Sequence, residues 1–151
     1  MSGLALSLLP DSFDAMIVAG GFHPPRRLLK AVESRSRFHI AVDGGVRLFR
    51  LAGITPHVVI GDLDSASRED LIWARKRGAR ILKQREQATS DFEKALRYCT
   101  QRKLKNLAIL AAEGDRVDHV LHSASRVFAF RSLKPLLIYG SSVAHVLSGR
   151  T

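Results

Sequence analysis

Two aspartates in an i, i+2 relation follow a short apolar run and a glycine in His57-Val58-Val59-Ile60-Gly61-Asp62-Leu63-Asp64-Ser65. Two anionic oxygen donors so placed suit a hard cation such as Mg²⁺, which takes carboxylate, water and phosphate ligands. A β-branched run ending in glycine reads as a buried parallel strand, so the acids emerge at its carboxyl end, where open α/β sheets place their ligands. Alternate residues of extended chain point the same way, which aims Asp62 and Asp64 at one spot. A solvated acidic turn, with Ser65 starting a helix, would use the same residues.

Other acids recur in the same kind of position. Asp43 closes the apolar run 38–42 and precedes Gly44 and Gly45; Asp91 lies in the first turn of a helix opened by Ser90; Asp118 and His119 follow the run 107–112 and Arg116. Taken singly, each has a local explanation, as a turn former, a partner of the helix dipole or an N-cap. Taken together, they converge on one edge of a sheet. Carboxylates so clustered repel one another unless cations sit among them, and Lys94 and Arg116 supply fixed positive charge for phosphate oxygens. That combination describes Mg²⁺-dependent chemistry on a polyphosphate, where positioning and charge neutralisation do most of the catalysis. Gly20 and Gly21, at the end of the run 15–19, let backbone amides approach a phosphate, although a plain tight turn uses such a pair at least as often. Neither a Walker glycine-lysine loop nor a G-x-G-x-x-G fingerprint is present in the sequence.

The elements that must position these residues alternate between strand and helix, the pattern of a three-layer α/β/α domain: a mainly parallel, Rossmann-like, doubly wound sheet. Strands are expected at 15–19, 38–42, 58–61, 80–82, 107–112 and 135–139, with another beginning at 143–147. Helices follow Pro24-Pro25, Gly45, Ser67, Ser90 and Arg116. In the fourth, Phe92, Ala95, Leu96 and Cys99 recur at helical spacing, which makes the one cysteine a packing residue. In the fifth, Val117, Val120, Leu121, Ala124, Val127 and Phe128 define one apolar face.

With 151 residues and 46% hydrophobic content, the chain fits one domain with a real core, and no apolar run approaches a membrane span. Met1 to Pro10 lacks a basic leading region and is expected to be an arm of a cytoplasmic protein. A net charge of +10 calls for an acidic partner, which nucleotide phosphates and nucleic acid both satisfy. The lysines and arginines are scattered, and the 7% of aromatic residues are not interleaved with them, so nucleic acid is the less favoured partner.

Four blocks of the sequence resemble the thiamine pyrophosphokinase family, in its catalytic, ATP-binding domain. They are Ala41-Val42-Asp43-Gly44-Gly45, Gly61-Asp62-Leu63-Asp64-Ser65, the 87–96 segment with Gln87 and Ser90-Asp91-Phe92-Glu93-Lys94-Ala95-Leu96, and Arg116-Val117-Asp118-His119. They occur in the family's order and, with Ala19-Gly20-Gly21, span most of the chain. The resemblance implies transfer of a pyrophosphoryl group from ATP to the hydroxyethyl oxygen of thiamine, with Mg²⁺ and release of AMP, by a homodimer. By position it implies that Asp62, Asp64 and Asp91 form the metal and phosphate cluster and that Asp43 neighbours the transferred group. Lys94, Arg116, Asp118 and His119, with Gly20, Gly21, Gly44, Gly45, Ser65, Gln87 and Ser90, would face the nucleotide. The chain departs from the family pattern at Val46-Arg47, Ala88, Ser90 and Asp115; Ala88 bears on metal affinity and Arg47 on the choice of acceptor. Residues 1–140 are expected to be the catalytic domain and 141–151 the start of a C-terminal β region, absent or truncated here, that in the family helps to bind thiamine, so that Mg-ATP recognition survives in this chain and thiamine binding is weak or absent. A nucleotide- or RNA-binding module without catalysis, or a related transferase with another hydroxyl acceptor, is the alternative.

Overall fold

The computed structural model describes residues 6–140 and 142–146. Its elements run β1 (Phe13–Val18), α1 (Arg26–Glu33), β2 (Ser36–Val42), α2 (Val46–Ala52), β3 (Val58–Gly61), α3 (Arg68–Lys76), β4 (Arg80–Lys83), α4 (Asp91–Gln101), β5 (Leu107–Leu110), α5 (Val117–Ala129), β6 (Leu136–Ile138) and β7 (Val143–His145). The strands form one seven-stranded sheet in the order β4-β3-β2-β1-β5-β6-β7. Every neighbouring pair is parallel except β6 and β7. The strand expected at 143–147 is thus present as the antiparallel edge of this same sheet, while Leu147 lies outside the described residues.

The sheet separates two apolar layers, and strand alternation divides the side chains between them. Met16 and Val18 of β1, Val59 of β3 and Leu110 of β5 pack with Leu28, Val46, Phe49 and Ala74 of α1, α2 and α3. Ala15 and Ile17, Val58 and Ile60, and Ile109 point the other way, onto Phe92, Leu96 and Cys99 of α4 and Val127 of α5. Cover on both faces is what permits these near-continuous apolar strands. Cys99 is fully buried, and burial pushes its thiol up to about 12, so it packs and does not react.

Local chemistry starts the helices where the capping signals place them. Ser67 Oγ accepts from the Asp70 amide (3.1 Å), and Ser90 Oγ from the Glu93 amide (3.2 Å). Helix α5 departs from expectation. Of its apolar face only Val127 is fully buried, whereas Val117, Leu121 and Phe128 are exposed, because among the described residues nothing is packed over that side. Helical spacing identifies an apolar stripe but not whether a second layer lies against it.

Strand order sets the place of the site. From β1 the sheet grows through β2, β3 and β4 on one side and through β5, β6 and β7 on the other, so the loops after β1 and β5 part at a topological switch point. Ligand crevices in open α/β sheets lie there, outside the carboxyl ends of the strands.

Candidate active site

A cavity of about 890 Å³ opens at this switch point, with Ala19, Gly20 and Gly21 on one wall and Ala111 to Arg116 on the other. Two glycines there are required by close approach. A Cβ on Gly21 would lie 2.0 Å from Glu113 O, and one on Gly45 2.1 Å from Val18 O. The Gly21 amide donates to Ala111 O (2.8 Å) and the Phe22 amide to Glu113 O (2.7 Å), which stitches the two parting loops together. The Gly21 amide is therefore spent inside the chain rather than offered to a phosphate, a correction to the role expected of it.

The carboxylates of Asp43, Asp62 and Asp91 come together at the strand ends, each offering one oxygen within 4.8 Å of the others. Gly61 makes room for them: its φ of 141° favours glycine, and a Cβ there would meet Asp91 Oδ2 at 2.9 Å. Asp91 is held from two sides, its Oδ1 accepting from the Asp62 amide (3.1 Å) and from Lys94 Nζ (3.0 Å). Asp43 accepts from the Ser65 amide through both oxygens (3.2 and 3.3 Å). Burial, then the negative charge of Asp91 and, more weakly, of Asp62, raise the Asp43 carboxyl above its ordinary range against the opposing pull of Ser65. Non-glycine residues at the cleft's strand ends also carry positive φ: Asp43 (47°), Leu63 (69°) and Ala111 (56°). Such conformations persist only where surrounding structure over-determines them.

Asp64 falls outside this three-carboxylate group. The expectation that it would sit beside Asp62 rested on extended backbone. Strand β3 ends at Gly61, and the left-handed Leu63 then breaks the alternation. Its amide, and not its carboxylate, meets the site, donating to Asp62 Oδ1 (3.0 Å).

Other expected residues divide the same way. Gly20, Gly21, Gly44, Ser65, Ser90, Arg116, Asp118 and His119 line the cavity with Asp43 and Asp91. Arg116 and Asp118 form a two-point pair (3.2 and 2.7 Å), which lowers the Asp118 carboxyl. Lys94 is buried away from the cavity, its ammonium donating to Gln84 O (2.9 Å) as well as to Asp91, so it positions Asp91 rather than facing a ligand. Gln87 is exposed, and neither it nor Gly45 lines the cavity. Sequence reasoning missed His23, Glu113, His122 and Ser123 on the wall. His122 Nε2 lies 3.0 Å from Ser90 Oγ, and the signal that could have found it is its place one helical turn beyond Asp118 and His119.

Fold and site together define a doubly wound α/β domain with a carboxylate-bearing cleft at its switch point. The chain belongs to the thiamin pyrophosphokinase family: the model described as "Thiamin pyrophosphokinase, catalytic domain" matches residues 29–138. Among solved structures, thiamine pyrophosphokinase from Bacillus subtilis is 27% identical with a TM-score of 0.70, the match covering 82% of this chain and 59% of that one. The yeast enzyme is 17% identical (TM-score 0.71), with coverage of 90% and 61%, and that of Candida albicans 14% identical (TM-score 0.73), with coverage of 89% and 59%. The chain thus spans less than two thirds of the length of each of these relatives. No match was found among curated protein sequences. No helix among the described residues is long and apolar enough to cross a membrane.

Proposed function

We propose that the chain carries the nucleotide-handling part of a thiamine pyrophosphokinase, transferring pyrophosphate from ATP to the hydroxyethyl oxygen of thiamine. The observation that carries this reading is the convergence of Asp43, Asp62 and Asp91 at the carboxyl edge of the sheet, with Asp43 and Asp91 lining the switch-point cleft, in a chain belonging to that family. The donor set fits Mg²⁺, since it offers carboxylate oxygens only and leaves their mutual repulsion for a cation to relieve. When bound, Mg²⁺ would neutralise phosphate charge and align the polyphosphate. Asp62 and Asp91 are the residues to hold it, with Asp43 as third donor or as a proton acceptor.

The remaining groups divide the substrate between them. Arg116, exposed on the rim and paired among the described residues with Asp118 alone, can turn to phosphate oxygens, which a guanidinium binds through two parallel hydrogen bonds. In the transfer, the acceptor oxygen forms a bond to the β-phosphorus of ATP while the bond from that phosphorus to the α-phosphate oxygen breaks, releasing AMP. Asp43, whose carboxyl is raised by burial and by the charge of Asp91, takes the hydroxyl proton. Arg47 lines the cavity, and its role in this reading is to set which hydroxyl compound fits. A second copy of the chain is proposed as its partner in the working assembly.

Incubation with ATP, Mg²⁺ and thiamine, followed by separation of nucleotides, tests the reading. AMP and thiamine diphosphate in equal amounts support it. Release of ADP, or AMP formed equally without Mg²⁺, contradicts it.

A further inference from the structure

The opposite, amino end of the sheet carries a second cavity of about 620 Å³, built where α1, α2, α3 and α4 end and β2, β3 and β4 begin. Its lining brings together residues that the sequence scatters. Phe38 stacks on His57 (4.6 Å between centroids, 14°) and more distantly on Tyr98 (6.2 Å, 22°), and the Arg102 guanidinium lies 5.0 Å over the Tyr98 ring. Arg77 and Arg80 complete a rim of three guanidiniums.

These arginines have no carboxylate partners among the described residues. Elsewhere the chain does pair arginines with acids, as with Arg50 to Glu69 and Asp70, or Arg97 and Arg126 to Glu93. The one acid in the second lining, Glu33, is taken by Lys30 (3.2 Å). Arg77 and Arg102 stand at the C-caps of α3 and α4, where a cation offsets the helix dipole. Arg80 opens a strand, where no such dipole exists, so dipoles alone do not explain the rim. Arg102 over Tyr98 and Arg77 over Trp73 (5.2 Å) are held by ring faces and not by carboxylates among the described residues, a contact that leaves guanidinium N–H groups for an anion. His57 Nδ1 accepts from the His39 amide (2.8 Å), which leaves Nε2 to carry the proton of the neutral ring as a further donor.

We propose that this cavity is a second binding site, for a nucleotide: Arg77, Arg80 and Arg102 hold its phosphate, and its planar base lies against the half-buried Phe38 and the exposed His57. Its volume suits a ligand of that size, and ring stacking beside guanidiniums is how single nucleotides are held without sequence preference. The site is independent of the carboxylate cleft, from which it is separated by the length of the strands.

The test is amide chemical-shift mapping of the whole chain without Mg²⁺, with AMP, ribose 5-phosphate and a short oligouridylate as probes. Gly53, His57 and Gly78 report the second cavity, and Gly44 reports the first. AMP should shift the former saturably, binding at least about tenfold more weakly to an Arg80→Ala/Arg102→Ala variant. His57→Ala should erase the preference for AMP over ribose 5-phosphate. Tighter binding of the oligouridylate than of AMP assigns the site to the nucleotides of a single strand, and equal or weaker binding to free nucleotide. No shift at the three reporters with any probe, or shifts unchanged by removing the arginines, overturns the proposal.

Discussion

An aspartate at the amino end of the sheet and one at the carboxyl end meet opposite fates. Asp14, early in β1, accepts from the Lys105 amide (2.8 Å) and from Arg37 Nη2 (2.7 Å), and these bonds pull its carboxyl below the ordinary range. Asp43, just past β2, is pushed up instead, by burial and by Asp91 and Asp62. The chain gives the first acid a cation, Arg37, whereas among the described residues Asp91 alone of the second group has one, Lys94, and Asp43 is left facing Asp91 and Asp62. The acid raised by its neighbours at the carboxyl edge, beside one lowered by its partners at the amino edge, marks the carboxyl edge as built for something other than stability.

The largest effect that would break this contrast is expected from Asp62→Asn or Asp91→Asn, which should lower Mg-ATP-dependent turnover by about 100-fold or more while leaving the far-ultraviolet circular dichroism unchanged. Turnover within a few-fold of wild type would reduce the cluster to a turn. Next in size is Gly61→Ala: the new Cβ meets Asp91 at 2.9 Å with φ at 141°, so urea denaturation should show a loss of about 2 kcal/mol. An unchanged midpoint would mean that the strand end is not crowded as described.

Smaller effects sharpen the contrast, because the two aspartates should respond to pH with opposite sign. Asp43 has a raised folded-state carboxyl, so its contribution is fully present below its ordinary value of 3.8 and is lost as pH rises through the raised value. Asp43→Asn should therefore melt above wild type at neutral pH without metal, the gap closing in acid. Asp14 has a lowered carboxyl, so it stabilises above 3.8 and loses that contribution as pH falls through the lowered value. Asp14→Asn should melt below wild type at neutral pH, and the gap should again close in acid. Thermal melts of both variants across this range check the signs, and the same sign in both would dissolve the contrast. The smallest effect belongs to Leu121→Glu on the uncovered side of α5, within about 0.5 kcal/mol of wild type in the monomeric chain. A loss several times larger would show that this face is covered.

The layered fold was legible because each β-branched run and each capped helix carries its own period, as in Val58-Val59-Ile60 and the Ser90 to Cys99 segment. The edge to which Asp43, Asp62 and Asp91 belong followed from the same alternation. What could not be read was set by single backbone torsions and by neighbours distant in sequence. Leu63 in the left-handed region turned Asp64 away from the place that extended geometry gave it, and Gln84 O with Asp91 drew Lys94 inside. The arginines and rings of the amino-end cavity come from β2, the ends of α3 and α4, and the starts of β3 and β4, so no window of sequence interleaves them. Helix α5 shows the converse: its apolar period is plain, and what covers it is a matter of layers that periodicity does not encode.

The central claim is that Asp43, Asp62 and Asp91 form a cation-dependent nucleotide site. Calorimetric titration of ATP into the chain, with and without Mg²⁺, beside the Asp62→Asn variant, addresses it most directly. Saturable binding that requires Mg²⁺ in the wild type and weakens by at least about tenfold in Asp62→Asn is the predicted result. ATP binding that is equal with and without Mg²⁺, and equal in the variant, would contradict it.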